Sequence, residues 1–232
     1  MTVDDIIREL TQKSDPANRV GLDRYGIGVT NALGIRVPDI KRFANRLRKQ
    51  VTDRHATALE LWGTGIFEAR AVAALVDDPK QVTSGQMDSW ATDFADWATV
   101  DGTCSYLFCR TPFAYEKAME WAEREQEFVK RAGFSLMAYL AIHDKKAPDE
   151  KLAAFLPVIE RHAQDDRNFI KKAANWALRQ IGKRSVYLNG LSVATAERIH
   201  SQGTKSAKWI GSDALRELRS PSVQQRLAKK RP

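Results

Sequence analysis

Apolar residues recur at helical spacing along almost the whole of this chain, and no stretch alternates as a half-buried strand does. Ile6, Ile7 and Leu10 open the pattern as a short amphipathic helix. Val37-Pro38-Asp39 then places a proline and an acid at a helix start, ahead of Ile40, Phe43, Ala44 and Leu47. The same reasoning predicts helices over 56–62, 66–76, 84–94, 97–108, 113–121, 128–142, 152–162, 169–181, 192–200, 207–218 and 223–229. The connectors are short, and several carry acids or prolines at the next helix start, as in Asp77-Asp78-Pro79 and Ser220-Pro221. The fold class expected is all-α.

Consecutive helix pairs recur roughly every 35–45 residues, close to the period of HEAT and armadillo repeats. Such pairs stack into an α-α superhelix whose concave face is lined by one helix of each pair, a shape suited to gripping a rod. The repeats share no strict motif, so a compact helical bundle stays open as the alternative. No linker rich in Gly, Ser or Pro interrupts the chain, and 1–232 is read as a single domain.

Several classes of function lose their footing at this level. Apolar residues make up 43% and charged residues 28%, the balance of a folded globular chain rather than a disordered one. Uncharged stretches such as 132–142 fall well short of the roughly 20 residues that a membrane helix needs. The opening Met1-Thr-Val-Asp-Asp has no apolar segment of the secretory type, so a cytoplasmic protein, nucleoid-associated when bound to DNA, is expected. Two cysteines, Cys104 and Cys109, with four scattered histidines supply neither a disulfide framework nor a four-ligand zinc site, and no metal or cofactor is expected. There is no GxxxxGK[ST] phosphate loop, no HExxH, no paired CxxC and no GxSxG elbow.

The charge is segregated. From Arg167 to Pro232 there are 15 Lys and Arg against three acids, whereas residues 1–166 hold 22 basic and 26 acidic side chains. A field with that direction draws in a polyanion, and counterion release makes nucleic acid the partner it favours most. The alternative is that these side chains only solubilise exposed helix faces, which accounts for scattered charge better than for a concentrated block.

Three strings stand out for chemistry. In Trp97-Ala-Thr-Val-Asp101 the indole and the carboxylate are four apart and share a helix face. In Phe128-Val-Lys-Arg131 an arginine stands near the start of a strongly apolar helix. In the helix that begins at Phe169, Lys172, Trp176, Arg179 and Lys183 form one stripe, an aromatic interleaved with cations and suited to sugar and phosphate. Each has a plainer reading. Tryptophan at helical spacing is usually core, Asp101 could cap or solvate a helix, and Arg131 could pair with Glu127.

Together these strings resemble the AlkD family of DNA alkylation-repair glycosylases, which are built from HEAT-like repeats. The family's Trp-x-x-x-Asp corresponds to Trp97 and Asp101, and its arginine early in a repeat helix to Arg131. Its FI-x-KA-x-x-W-x-LR motif reads here Phe169-Ile-Lys-Lys-Ala-Ala-Asn-Trp176-Ala-Leu-Arg179. Arg24-Tyr25 and Leu33-Gly34-Ile35-Arg36-Val37-Pro38 resemble its N-terminal signature, with Tyr25 at a DNA-facing position.

The resemblance implies hydrolysis of the glycosidic bond of positively charged N3- or N7-alkylated bases in duplex DNA. Asp101 would stabilise the sugar cation and orient water, Trp97 and Trp176 would offer π faces, and Arg131 would hold a phosphate. The DNA-facing set then comprises Tyr25, Arg36, Lys41, Lys172, Arg179, Lys183, Arg184, Lys205 and Lys208, in a protein with no need to dimerise. The competing functions are a non-catalytic module for bent, branched or damaged DNA and a protein-interaction scaffold.

Overall fold

The computed structural model describes all residues except 23, 25, 26, 28–30 and 230–232. Among the described residues the regular structure is fifteen α-helices with short 3-10 turns such as Phe108–Arg110, and no strand is present. The chain forms two compact units, residues 1–113 and 114–232.

The first unit contains α1 (Val3–Gln12), α2 (Pro16–Leu22), α3 (Val37–Leu47), α4 (Arg54–Gly63), α5 (Phe67–Val76), α6 (Ser84–Thr92) and α7 (Trp97–Tyr106). Its starts follow capping chemistry. Thr2 and Asp5 form a reciprocal box on α1, and Asp53, Thr83 and Asp96 accept from the first-turn amides of α4, α6 and α7. Helix α5 sits centrally, packing on α3, α4 and α7 through Ala69, Val72, Ala73 and Val76. The loop entering α3 is held by Glu68, a fully buried carboxylate on α5. Glu68 accepts from the amides of Leu33 and Gly34, each at 2.7 Å, and of Ile35 at 3.2 Å. Gly34 has φ of 81°, and a Cβ there would lie 2.2 Å from the Asp15 carbonyl oxygen, so only glycine fits. The Leu33–Pro38 signature thus has a structural explanation: three amides for Glu68, a left-handed glycine, and a proline in the first turn of α3.

The second unit contains α8 (Ala114–Ala122), α9 (Glu127–His143), α10 (Asp149–Ala153), α11 (Leu156–Arg161), α12 (Asn168–Gly182), α13 (Val186–Ser201), α14 (Lys205–Leu218) and α15 (Pro221–Ala228). Helix α9 packs between α8 and α12 and is buried on nearly all sides, which is why its sequence is apolar all round. Gly133 lets α8 touch it backbone to backbone, since a Cβ would meet the Ala122 amide nitrogen at 2.5 Å.

The repeat shows itself in the polar contacts. Arg131–Phe169, Asn175–Asp213, Arg179–Glu217, Arg161–Glu123 and Arg198–Glu160 each join residues 38 apart. Equivalent positions of successive repeats lie side by side, within the spacing read from the helix pattern.

Three elements differ from the expectation. Helix α2 was not anticipated, because it buries no residue and so has no apolar stripe. The helix expected over 152–162 is two short ones, α10 and α11, with Pro157 in the first turn of the second. Helix α13 starts at Val186, with Ser185 as its cap, rather than near Ser192. Its first turn exposes Val186 and Tyr187 and gives no periodic signal.

Candidate nucleic-acid interface

Burial sorts the six tryptophans. Trp62, Trp90 and Trp121 are at most 3% exposed and are packing residues. Trp62 and Trp90 stack at 4.0 Å between ring centroids, and Trp62 Nε1 donates to Asp93 at 2.8 Å. Trp97 and Trp176 are half-buried, and Trp209 is exposed. The two tryptophans singled out by spacing are therefore not core residues.

In the first unit, Trp97 is the first residue of α7 and Asp101 the fifth, both half-buried and on the same helical face. The cap of α7 is Asp96, which is 2% exposed. Its carboxylate accepts from the amides of Ala98 and Thr99 and from the Thr99 hydroxyl, at 2.7–2.8 Å. Asp101 is thus relieved of capping, one of its plainer readings. Lys41, exposed on α3, reaches the far end of the same helix, its Nζ lying 5.0 Å over the ring of Tyr106. Arg36 precedes α3 and lines a cleft of about 490 Å³ with Lys13, Arg42 and Arg46, whose acids are Asp15 and Asp39. Tyr25 lies outside the described residues.

In the second unit the α9–α12 pair carries the other half of the set. Arg131 is 7% exposed, and its Nη1 donates to the Phe169 carbonyl at 2.8 Å, tying α9 to the start of α12. Trp176 stands edge-on to Tyr139 of α9, with centroids 4.8 Å apart at 88°. With its carboxamide oxygen turned towards them, Gln180 accepts from Trp176 Nε1 at 2.9 Å and from Lys183 Nζ at 3.2 Å. The indole is therefore fixed by a ring edge and a hydrogen bond.

The stripe on α12 is not uniform. Lys172 is exposed, whereas Arg179 and Lys183 both bond Glu217 of α14, Lys183 at 2.6 Å. Burial pushes the Glu217 carboxyl up, but the Lys183 hydrogen bond and the charges of Arg179 and Lys183 outweigh it and hold it below the ordinary value. Arg184 donates to the Asp144 carbonyl at 2.9 Å. Lys183 and Arg184 also line a cleft of about 200 Å³ with Lys145, Gln180 and Arg226. Lys205 and Lys208 are exposed on the first turn of α14.

Sequence reasoning missed Asp96, Glu217, Gln180 and Tyr139. A signal existed for Glu217, an acid one repeat beyond Arg179. Asp96 precedes a helix start and so was readable as a cap, while the indole's partners follow only from helix packing.

A family model described as DNA alkylation repair enzyme matches residues 6–218. The chain belongs to that family. A solved structure described as a new family of proteins related to the HEAT-like repeat DNA glycosylases, with affinity for branched DNA structures, has 18% sequence identity and a TM-score of 0.76. The alignment covers 98% of this chain and 96% of that one, so the all-α fold of this family member is HEAT-like. No curated protein matches the chain. No helix among the described residues is long and apolar enough to cross a membrane.

Proposed function

We propose that the chain is a DNA glycosylase that acts as a monomer, without cofactor, on cationic N3- or N7-alkylated bases in duplex DNA. Alkylation at these positions makes the base a good leaving group. As the bond from C1′ to the base nitrogen breaks, its electron pair neutralises the base and positive charge builds on the deoxyribose. A carboxylate beside that sugar stabilises the charge and orients the water that attacks C1′ and gives up a proton. Asp101 is assigned that role, Trp97 and Trp176 each offer a π face to the DNA, and Arg131 holds a backbone phosphate. Lys41, Lys172, Lys205 and Lys208, all exposed, serve the phosphates.

The observation that carries the reading is the pairing on α7. A half-buried carboxylate stands four residues after a half-buried indole, on a helix whose cap is a different acid. The test is incubation with a duplex containing 7-methylguanine or 3-methyladenine, with free base measured by mass spectrometry. Free base, with the strand left abasic and uncut, is the expected result.

A second reading is a non-catalytic DNA-binding module. It is favoured by the description of the solved neighbour, a family with affinity for branched DNA structures. Duplex binding without release of either base would select it.

A further inference from the structure

We infer that Trp209 is the stacking residue of a site for unpaired nucleotides on the α12–α14 face of the second unit. Trp209 is 41% exposed, whereas Trp62, Trp90 and Trp121 are buried. Its place on α14 is set by the repeat register. Lys171, Asn175 and Arg179 of α12 stand opposite Trp209, Asp213 and Glu217 of α14, and the last two pairs are closed polar contacts. The first pair is different in kind: the Lys171 ammonium lies 5.7 Å from the indole centroid, and Trp209 remains 41% exposed.

Exposed lysines lie nearby on the same two helices. Lys205 is four residues earlier on the same helical face, Lys208 is adjacent, and Lys172 is exposed beside Lys171. The next acid on α14, Asp213, is already bonded by Asn175 at 2.7 Å and by Arg216. A part-exposed indole with one ammonium against it and further exposed lysines on the same helices matches one ligand chemistry well. A nucleobase lies on the ring, and its flanking phosphates meet the lysines. The base must be unpaired, because in the interior of a duplex both faces of a base are already covered by stacking. The site is thus distinct in ligand from the Asp101 chemistry, and it rests on the reading above only in taking DNA as the partner.

The test compares fluorescently labelled duplexes, one blunt and one carrying a single-stranded tail of about ten nucleotides, by anisotropy. Trp209→Ala is expected to weaken binding of the tailed duplex by about tenfold and to change the blunt one by less than about twofold. Trp209→Phe, which keeps a π face, is expected to restore most of the loss. Equal effects on both duplexes, no effect on either, or a Phe variant as weak as the Ala variant would overturn the assignment. Base release from an alkylated blunt duplex is measured in parallel. Its absence contradicts the glycosylase reading and leaves the Trp209 comparison standing on its own.

Discussion

In residues 114–232 the helices are tied by side chains one repeat apart, whereas in residues 1–113 a single buried carboxylate organises the loop that enters α3. Arg131, Asn175, Arg179 and Arg198 each meet a partner 38 residues away, and several of these contacts are partly exposed. Glu68, which has no exposed surface itself, instead gathers three consecutive amides. The ladder distributes its stabilisation over many modest contacts. The latch concentrates it in one group whose loss strands three donors. The candidate reaction chemistry shows a parallel contrast, since Trp97 and Asp101 share one helix while Trp176 is oriented by Tyr139 and Gln180.

The largest stability effect therefore belongs to the latch. Glu68→Ala is expected to destabilise the protein by about 3–5 kcal/mol, because buried amides lose their acceptor. Chemical denaturation measures it, and a loss below 1 kcal/mol would mean that the loop holds itself. Arg131→Ala comes next, at about 2–3 kcal/mol, since it frees the Phe169 carbonyl between packed helices. If Arg131 also holds a phosphate, the same variant weakens duplex binding and lowers its salt dependence.

Two carboxylates, one in each unit, also respond to acid in opposite directions. Glu217 has its carboxyl held below the ordinary 4.5, so its stabilisation is complete above that pH and is lost as pH falls through the folded value. Asp77 is raised above the ordinary 3.8, chiefly by burial, against hydrogen bonds from His55 and Gln86. There the folded state binds the proton more tightly, so Asp77's contribution declines as pH rises above 3.8. Between about pH 3 and 6, Glu217→Gln should flatten the rise of stability with pH and Asp77→Asn should steepen it. Unfolding midpoints across that range give both slopes, and changes of equal sign relative to the wild-type slope would contradict the contrast. The smallest effect is on the surface. Arg198→Ala, which breaks a half-exposed pair with Glu160, should cost no more than about 1 kcal/mol in thermal denaturation.

How much of this could be read from the chain depends on the range of the interaction. The Trp97–Asp101 pairing was readable because four residues make one turn, and most helices were readable from helically spaced apolar residues, the α10–α11 break and the start of α13 excepted. Glu68 was not, since its partners are backbone amides 33–35 residues away that carry no side-chain signal. The cationic stripe on α12 was read from helical spacing alone. The engagement of Arg179 and Lys183 became visible only with α14 alongside. Exposure of Trp209 was equally hidden, because helical spacing alone does not say which tryptophans a neighbour covers.

The central claim is that Asp101 acts on the sugar rather than on the grip. The most direct test is single-turnover release of 7-methylguanine by the wild type and Asp101→Asn, with duplex affinity measured on the same preparations. The account predicts a fall in release rate of about a hundred- to a thousandfold, with affinity within about twofold of wild type. Release at the wild-type rate by Asp101→Asn would contradict it.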